Sequence, residues 1–553
     1  MINLLKLILP NLILNVMRWV LLRVKINPND PRRFWKDQDL FLKDDFFDGI
    51  LDKKTQFKKI TYKNQTKPFF LSNKKSKISL TNFNNNDEIR FTYFFENKNL
   101  IGNNIKIQDD ETVVLEVSNA KPRQFYNFRI FKKSENLYID NNSNSKLWIS
   151  IERAGKKPAT KNNLNNIFLI FLDSISLDFL EKNLDKMPFT KKFFKDKVSY
   201  QNVYSNADWT ASALTCLINS EFPSSHRFTD LKTSHNLEPV NENNLFSFFK
   251  DNGYITNFLH RAKAQNPEFG FDKDVDNYFY YPYAFGNEED DQKITNKVLE
   301  LLYTNIDYKN FFLLHFNSTH YPFSNDNLFN QINNTNFYND NPHNFLESVI
   351  DQKGRTKIDN LYSREGVSIM NNKLTTSLRY LDLQLNSLYS FILEKDLFET
   401  TNIIITSDNG TTYADDDQNF FLNERRSKVP FMMSNKKYKI NNIDYNDLFS
   451  NLIDFKSIAK NMIYAEKFKL KKYTLGELIF NDIYEVCFFY KEKRINFSCK
   501  VDQKKNRLYV NKEFILYESN SKKIYKENIN SLPEDLLKLV NEHIANTNFE
   551  VIK

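Results

Sequence analysis

The sequence predicts an α/β protein built on a doubly wound, mostly parallel sheet, with a β-rich region before it and a small α+β region after it. Three observations carry this. Long apolar runs alternate with helical runs between about 161 and 465, as in NIFLIFLDS followed by LDFLEKNL. Before residue 160 the runs are short and alternate with period two, as in EIRFTYFFE, TVVLEVS, YNFRIFKK and KLWISIER. After about 466 short strands return and end in an amphipathic stretch, PEDLLKLVNEHIA. Continuous apolar runs mark strands buried on both faces, whereas strict alternation marks sheets with one wet face. At 553 residues the chain exceeds what one core holds. The expected division is an N-terminal segment 1–30, a β-rich domain 31–160, an α/β domain 161–465 and a C-terminal part 466–553.

The first 30 residues open with NLLKLILPNLILNVMRWVLLRV at 3–24, strongly apolar but interrupted by Pro10 and Arg18. A spanning helix wants about 20 apolar residues without charge, and a secretory leader wants a small-residue cleavage site. An amphipathic segment in a membrane interface, with Lys6, Arg18 and Arg23 reaching headgroups, and a helix packed on the protein's own body are both open. Residues 31–160 read as antiparallel strands separated by Asn, Lys and Asp turns, without a chemical constellation.

In the central region NNLFSFFKDNGYITNFLH, YKNFFLLHFNSTH and a long helix over 363–395 leading into TNIIITSDNG repeat the strand–helix alternation. In doubly wound sheets the site lies beyond the carboxyl ends of the strands. Asp173, His320 and Asp408 fall there. In the C-terminal part YEVCFFYK, NFSCKVDQ and RLYVNKEFILYES read as strands. Cys487 and Cys499 lie in this region, either as buried thiols or as a pair across a hairpin; with Cys216 they are the only cysteines, which excludes a disulfide scaffold and a structural zinc cluster.

Lys and Arg number 77 against 69 Asp and Glu, a mild net charge of +8. No stretch of five or more Lys or Arg and no recognition motif is present, so nucleic acid is not expected as a partner. The same charge suits an anionic substrate or an acidic membrane surface.

Four elements, IFLIFLDS, DWTASALTCLINSEFPSSH, FNSTHYPF and TNIIITSDNG, occur in the order and rough spacing of the sulfatase-like catalytic domain of the alkaline-phosphatase superfamily. The chain resembles that family over about 165–465. The resemblance implies a metal-dependent hydrolase or transferase holding one divalent ion (Ca²⁺, Mg²⁺ or Mn²⁺). Asp173 resembles its first metal carboxylate, although Ser174 stands where many arylsulfatases carry a second Asp; by itself Asp173 reads equally as a helix cap. Asp408 and Asn409 resemble the paired ligands of the SDN element, and an amide oxygen suits a hard cation; alternatively the DNG triplet makes only a turn. Thr210 takes the nucleophile position, nine residues before Asn219 in LTCLINS, and is then also a metal ligand. It precedes a helical run, so an N-cap role is the competing reading. No CxPxR-like motif follows it and Thr cannot become formylglycine, so the implied chemistry is phosphoryl transfer through a covalent phosphothreonine.

His320, in STHYP, resembles the substrate-side histidine that protonates a leaving oxygen. His315, five residues earlier, reads as a packed core residue. His260 and Lys263, after GYITNFL, and Arg425 and Lys428, before VPF, are expected to bind the anionic group. The substrates implied are phosphoesters, or sulfate esters, of lipids or glycans. Two alternatives stand beside this: a sulfuric ester hydrolase working without formylglycine, and a degenerate binding protein without activity.

Overall fold

The chain divides into two compact units, Met1–Lys157 with Leu231–Asn236, and Pro158–Asp230 with Leu237–Lys553. The computed structural model describes residues 57–62, 65–72, 76–80, 88–95, 105–109, 112–117, 126–131, 137–143 and 147–154 of the first unit. Of the second it describes 165–229, 239–261, 265, 269–280, 291–320, 364–410, 422–434, 450–469, 471, 473–480, 482–490, 493–503, 505–510, 513–518, 521–528 and 534–552. The apolar segment 3–24 and Lys263 lie outside the described residues.

The first unit is antiparallel throughout, as its period-two sequence requires. Glu88–Phe95 pairs with both Tyr126–Phe131 and Leu147–Ala154, and Ile105–Asp109 pairs with Thr112–Val117 and Leu137–Asn141. The alternation is visible in Leu137–Asn141, where every second residue is buried.

The second unit is organised by a seven-stranded sheet. Its strands are β1 (Asn166–Leu172), β2 (Val198–Ser199), β3 (Ile255–His260), β4 (Asn277–Tyr280), β5 (Asn310–Phe316), β6 (Thr401–Thr406) and β7 (Phe431–Met433). They lie in the order β2-β7-β6-β1-β5-β3-β4. The five strands from β6 to β4 are parallel, and β7 and β2 add antiparallel at one edge. Every residue of β1, β3, β5 and β6 is buried, which explains their unbroken apolar sequence.

Helices cover both faces. The long helix α7 (Arg364–Glu394), with α6 (Gln292–Thr304), α1 (Leu177–Asn183) and α2 (Pro188–Phe193), packs Leu378, Leu385, Val298 and Phe193 over Phe168, Ile170, Phe312 and Ile403. On the other face α5 (Leu245–Asp251) stacks Phe249 on Phe311, ring centroids 3.8 Å apart. The run TASALTCLIN forms α3 (Thr210–Asn219), followed by α4 (Pro223–His226).

The C-terminal part is an antiparallel sheet of β8 (Tyr473–Phe480), β9 (Ile483–Tyr490) and β10 (Lys493–Asp502), extended by shorter strands, with the closing helix Glu534–Ala545 against it. The register sets Cys487 opposite Asn496 and Cys499 opposite Tyr484. Neither cysteine therefore forms a disulfide, and both are buried.

A buried polar knot ties this sheet to α4. The Glu477 carboxylate accepts from the Ser224 N–H (2.7 Å), the Ser224 hydroxyl (2.9 Å), the Tyr484 hydroxyl (2.9 Å) and His543 Nε2 (2.7 Å). Burial pushes the Glu477 carboxyl up, but the His543 charge and these bonds outweigh it and hold it below its ordinary 4.5. A depressed folded-state value means the carboxylate stabilises the fold above about pH 4.5 and loses that contribution as pH falls further. Glu477→Ala strands the buried partners and should cost about 3–5 kcal/mol in denaturant unfolding at neutral pH. The deficit against wild type should shrink on acidification through that range.

Candidate active site

The parallel register brings three strand ends to one level. Phe171 of β1 lies beside His315 of β5 and Thr406 of β6, so the next residues, Asp173 after β1, Asn317 after β5 and Asp408 after β6, emerge together. Asp173 and Asp408 are almost wholly buried. His315 Nε2 sits 3.6 Å from Asp173 Oδ2 and 3.7 Å from Asp408 Oδ2. One donor atom from each of the three residues falls within 4.8 Å of the others.

Polar neighbours fix the two carboxylates. Asp173 Oδ2 accepts from Asn317 Nδ2 (2.7 Å) and Oδ1 from the Ser174 hydroxyl (2.8 Å). Asp408 Oδ1 accepts from the Ser174 N–H (3.0 Å). The Ser174 hydroxyl also lies 3.3 Å from Asn409 Oδ1, so one residue touches all three acidic or amide groups. Ser174 does this with φ of +63°, in the left-handed region where a side chain is strained. Ser407 supports the same turn by accepting from the Ile175 N–H (3.0 Å).

Two buried carboxylates this close cannot both ionise without help. Burial and the charge of Asp408 raise the Asp173 carboxyl to about 6, against the opposing pull of His320 and His315. Burial also acts against ionised Asp408, but His315, the Thr210 hydroxyl and the Ser174 N–H together hold it below its ordinary range. Burial pulls His315 down, and the surrounding carboxylates more than compensate, so its net shift is upward.

Thr210 is the first residue of α3 and is half-buried. Its hydroxyl lies close enough to Asp408 to help hold that carboxyl below its ordinary range. The N-cap is Trp209, in extended conformation and without a side-chain capping bond. Thr210 therefore does not cap the helix, and first-turn N–H groups of α3 carry no side-chain cap.

The other expected residues are dispersed. His320 is exposed at the end of the loop after β5, where its charge reaches Asp173. That loop is held by buried Asp291, which accepts from the N–H groups of Asn317 (3.2 Å) and Ser318 (2.8 Å) and pairs with buried Arg261 at 3.4 Å. His260 is fully buried at the end of β3, with Nε2 2.7 Å from the Tyr278 hydroxyl and its ring stacked on Phe258. Its place is in the aromatic core rather than on an open surface. Lys428 is half-buried with Nζ 3.6 Å from Glu424, and Arg425 is exposed.

His315 is the residue that sequence reasoning missed as a site member. It is fully buried, as a core residue would be, yet it faces carboxylates. The available signal was its position: a titratable side chain inside the apolar run NFFLLHF, near the carboxyl end of a central strand. Asn317 and Ser174 were likewise unassigned.

A divalent ion fits this arrangement. Asp408 Oδ2 and both His315 ring nitrogens are buried without a hydrogen-bond partner, and Asn317 Oδ1 is in the same condition. A buried carboxylate oxygen and an imidazole nitrogen left without partners 3.7 Å apart are costly unless something positive sits between them.

The family model for sulfatases matches residues 165–455. No curated protein matches the chain. Among solved structures the chain is similar to the phosphonate monoester hydrolase SpPMH from Silicibacter pomeroyi, at 12% identity and TM-score 0.49 over 69% of this chain and 94% of that one. It is also similar to a protein in the alkaline phosphatase superfamily from Vibrio parahaemolyticus, at 13% identity and TM-score 0.45 over 72% and 91%. A third is the C-terminal periplasmic domain of EcEptC from Escherichia coli in complex with Zn, at 15% identity and TM-score 0.40 over 56% and 84%. With more than half of its length matched, and Asp173 and Asp408 meeting at the carboxyl edge of the sheet, the chain belongs to the sulfatase family, a family of hydrolytic enzymes.

Proposed function

We propose that this enzyme is a metal-dependent phosphoester hydrolase or phosphotransferase that works through a covalent phosphothreonine at Thr210. The observation that carries the reading is the buried cluster of Asp173, His315 and Asp408, with the Thr210 hydroxyl close enough to Asp408 to help hold its carboxyl down. The absence of a formylglycine precursor around Thr210 supports phosphorus over sulfur.

Asp173, Asp408 and His315 would hold one divalent ion, with Asn409 and Thr210 as neutral donors. When bound, the ion supplies positive charge that acidifies a hydroxyl and polarises a phosphoryl oxygen. An imidazole beside two carboxylates shifts the expected preference from Ca²⁺ and Mg²⁺ toward Mn²⁺ and Zn²⁺.

The protein's own groups do the rest. Asp408 orients the Thr210 hydroxyl and accepts its proton as the Thr210 oxygen attacks phosphorus. The Thr210 O–P bond forms as the bond to the leaving alcohol breaks. His320, exposed at the rim, gives the departing oxygen a proton. The uncapped N–H groups of α3 stabilise phosphoryl oxygens. Water, or an acceptor hydroxyl in a transferase, then releases the phosphoryl group from Thr210.

The substrates are anionic esters, and segment 3–24 would bring lipid or surface-glycan phosphoesters within reach by lying in a membrane interface. Family membership makes sulfate esters the second reading. A panel of phosphomonoesters, phosphodiesters and sulfate esters with Mg²⁺, Mn²⁺, Zn²⁺ and Ca²⁺ separates the two. Turnover confined to phosphorus esters and abolished by chelation is expected. Turnover of sulfate esters alone, or activity untouched by excess chelator, contradicts the proposal.

A further inference from the structure

Three consecutive carbonyls run past the site between Glu424 and Phe431. The Arg426 carbonyl accepts from the Gly410 N–H (2.7 Å), the Ser427 carbonyl from the Ser205 N–H (2.6 Å) and the Lys428 carbonyl from the Leu177 N–H (3.0 Å). These three donors belong to three different segments: Gly410 follows Asp408 and Asn409, Ser205 precedes Thr210, and Leu177 follows Asp173 and Ser174. Val429 N–H adds a bond to the Val203 carbonyl (3.0 Å), and Tyr204 bridges to Lys428, so residues 203–205 lie antiparallel along 427–429. Where that pairing ends, a side chain continues it. Arg426 Nη1 reaches Asp208 Oδ2 at 2.6 Å, two residues before Thr210. Both partners are largely shielded, with side-chain exposures of 20% and 6%.

We propose that residues 426–428 are a strap that fixes the three site-bearing segments relative to one another, and that the Arg426–Asp208 ion pair positions Thr210 against Asp408. This rests on Thr210 being the nucleophile. The backbone bonds of the strap tolerate most side chains, whereas the ion pair is a sequence-dependent fastening toward the nucleophile. The close fit of the strap is visible at Gly410. A Cβ there would lie 2.1 Å from the Arg425 carbonyl oxygen, so only glycine lets the Asp408 loop press against it. The arrangement makes Arg426 a positioning residue, distinct from a group that binds the substrate anion. A shielded guanidinium held by a carboxylate has part of its charge already answered, and it acts on Thr210 through the chain.

The test uses the full-length, Mn²⁺-loaded enzyme and its Arg426→Gln, Asp208→Asn and Arg426→Lys variants. Hydrogen exchange of the peptide spanning 205–215 is measured beside Mn²⁺ affinity and the kinetics of bis(4-nitrophenyl) phosphate. Arg426→Gln and Asp208→Asn should both speed exchange in that peptide and lower kcat by about 10²-fold, the cost of a roughly 1 Å misplacement. KM and Mn²⁺ affinity should stay near wild type, and Arg426→Lys should recover part of kcat. Each single neutralisation leaves a shielded charge unanswered, so the Arg426→Gln/Asp208→Asn double variant is made as well. It removes both charges, should fold, and should keep the fast exchange and low kcat. Raised KM with unchanged kcat in Arg426→Gln alone would make Arg426 a substrate-binding group and overturn the proposal. Unchanged exchange in 205–215 in the double variant would also overturn it. If the wild-type Thr210 peptide is never phosphorylated, the nucleophile reading falls, while the exchange data still judge the strap.

Discussion

Thr210→Ala is expected to remove nearly all turnover, by roughly 10⁴-fold or more in kcat, as loss of a covalent nucleophile does. It should do so without a matching loss of stability. A capping threonine would cost about 1 kcal/mol when truncated, but Trp209 occupies the N-cap. Thr210→Ser keeps an attacking oxygen at the same position, and should retain measurable activity. The check is kcat and melting temperature for both variants. A Thr210→Ala enzyme with wild-type kcat would show that the hydroxyl serves only the local structure.

His315→Ala should weaken divalent-ion binding by at least the roughly 10–100-fold that loss of an outer-shell partner costs. His315 stands 3.6 Å and 3.7 Å from the two carboxylates, so its loss also removes the charge that lets them ionise together. Asp173, already raised to about 6, should bind its proton still more tightly in the ion-free variant. Asp408→Ala should abolish both binding and turnover. Calorimetric titration with Mn²⁺, Zn²⁺, Mg²⁺ and Ca²⁺ reads the effect without reference to substrate. The remaining affinity of His315→Asn should tilt toward Mg²⁺ and Ca²⁺, since an amide oxygen replaces nitrogen. An unchanged titration in His315→Ala would remove this histidine from the ion's donor set. In wild type the ion should also raise the melting temperature in proportion to its occupancy, because it binds only the folded chain.

Much of the architecture was legible because it follows from periodicity. NIFLIFL and TNIIIT had to be central strands, being apolar on both faces, and the helix expected over 363–395 is Arg364–Glu394. Asp173 and Asp408 were readable from their places just beyond those strands. His315 was not, because burial and apolar neighbours describe a core histidine and a ligand equally well. What separates them is which residue of the adjacent strand lies alongside, and that register is a tertiary fact. His260 shows the converse. Its position at a strand end suggested substrate contact, but the Tyr278 hydroxyl and Phe258 ring enclose it. The strap at 426–428 was equally hidden, since its carbonyls carry no sequence signature. Its arginine pairs with Asp208, a residue 218 positions away in sequence.

The most direct measurement is made on the wild-type enzyme during turnover. The Mn²⁺-loaded protein is mixed with a phosphodiester, quenched in acid, digested, and the peptide containing Thr210 is weighed by mass spectrometry. The account predicts a gain of one phosphoryl or substituted phosphoryl group, localised by fragmentation to Thr210, appearing before steady state and lost as substrate is exhausted. Turnover with that peptide unmodified at every quench time, or with the group on a different residue, would contradict it.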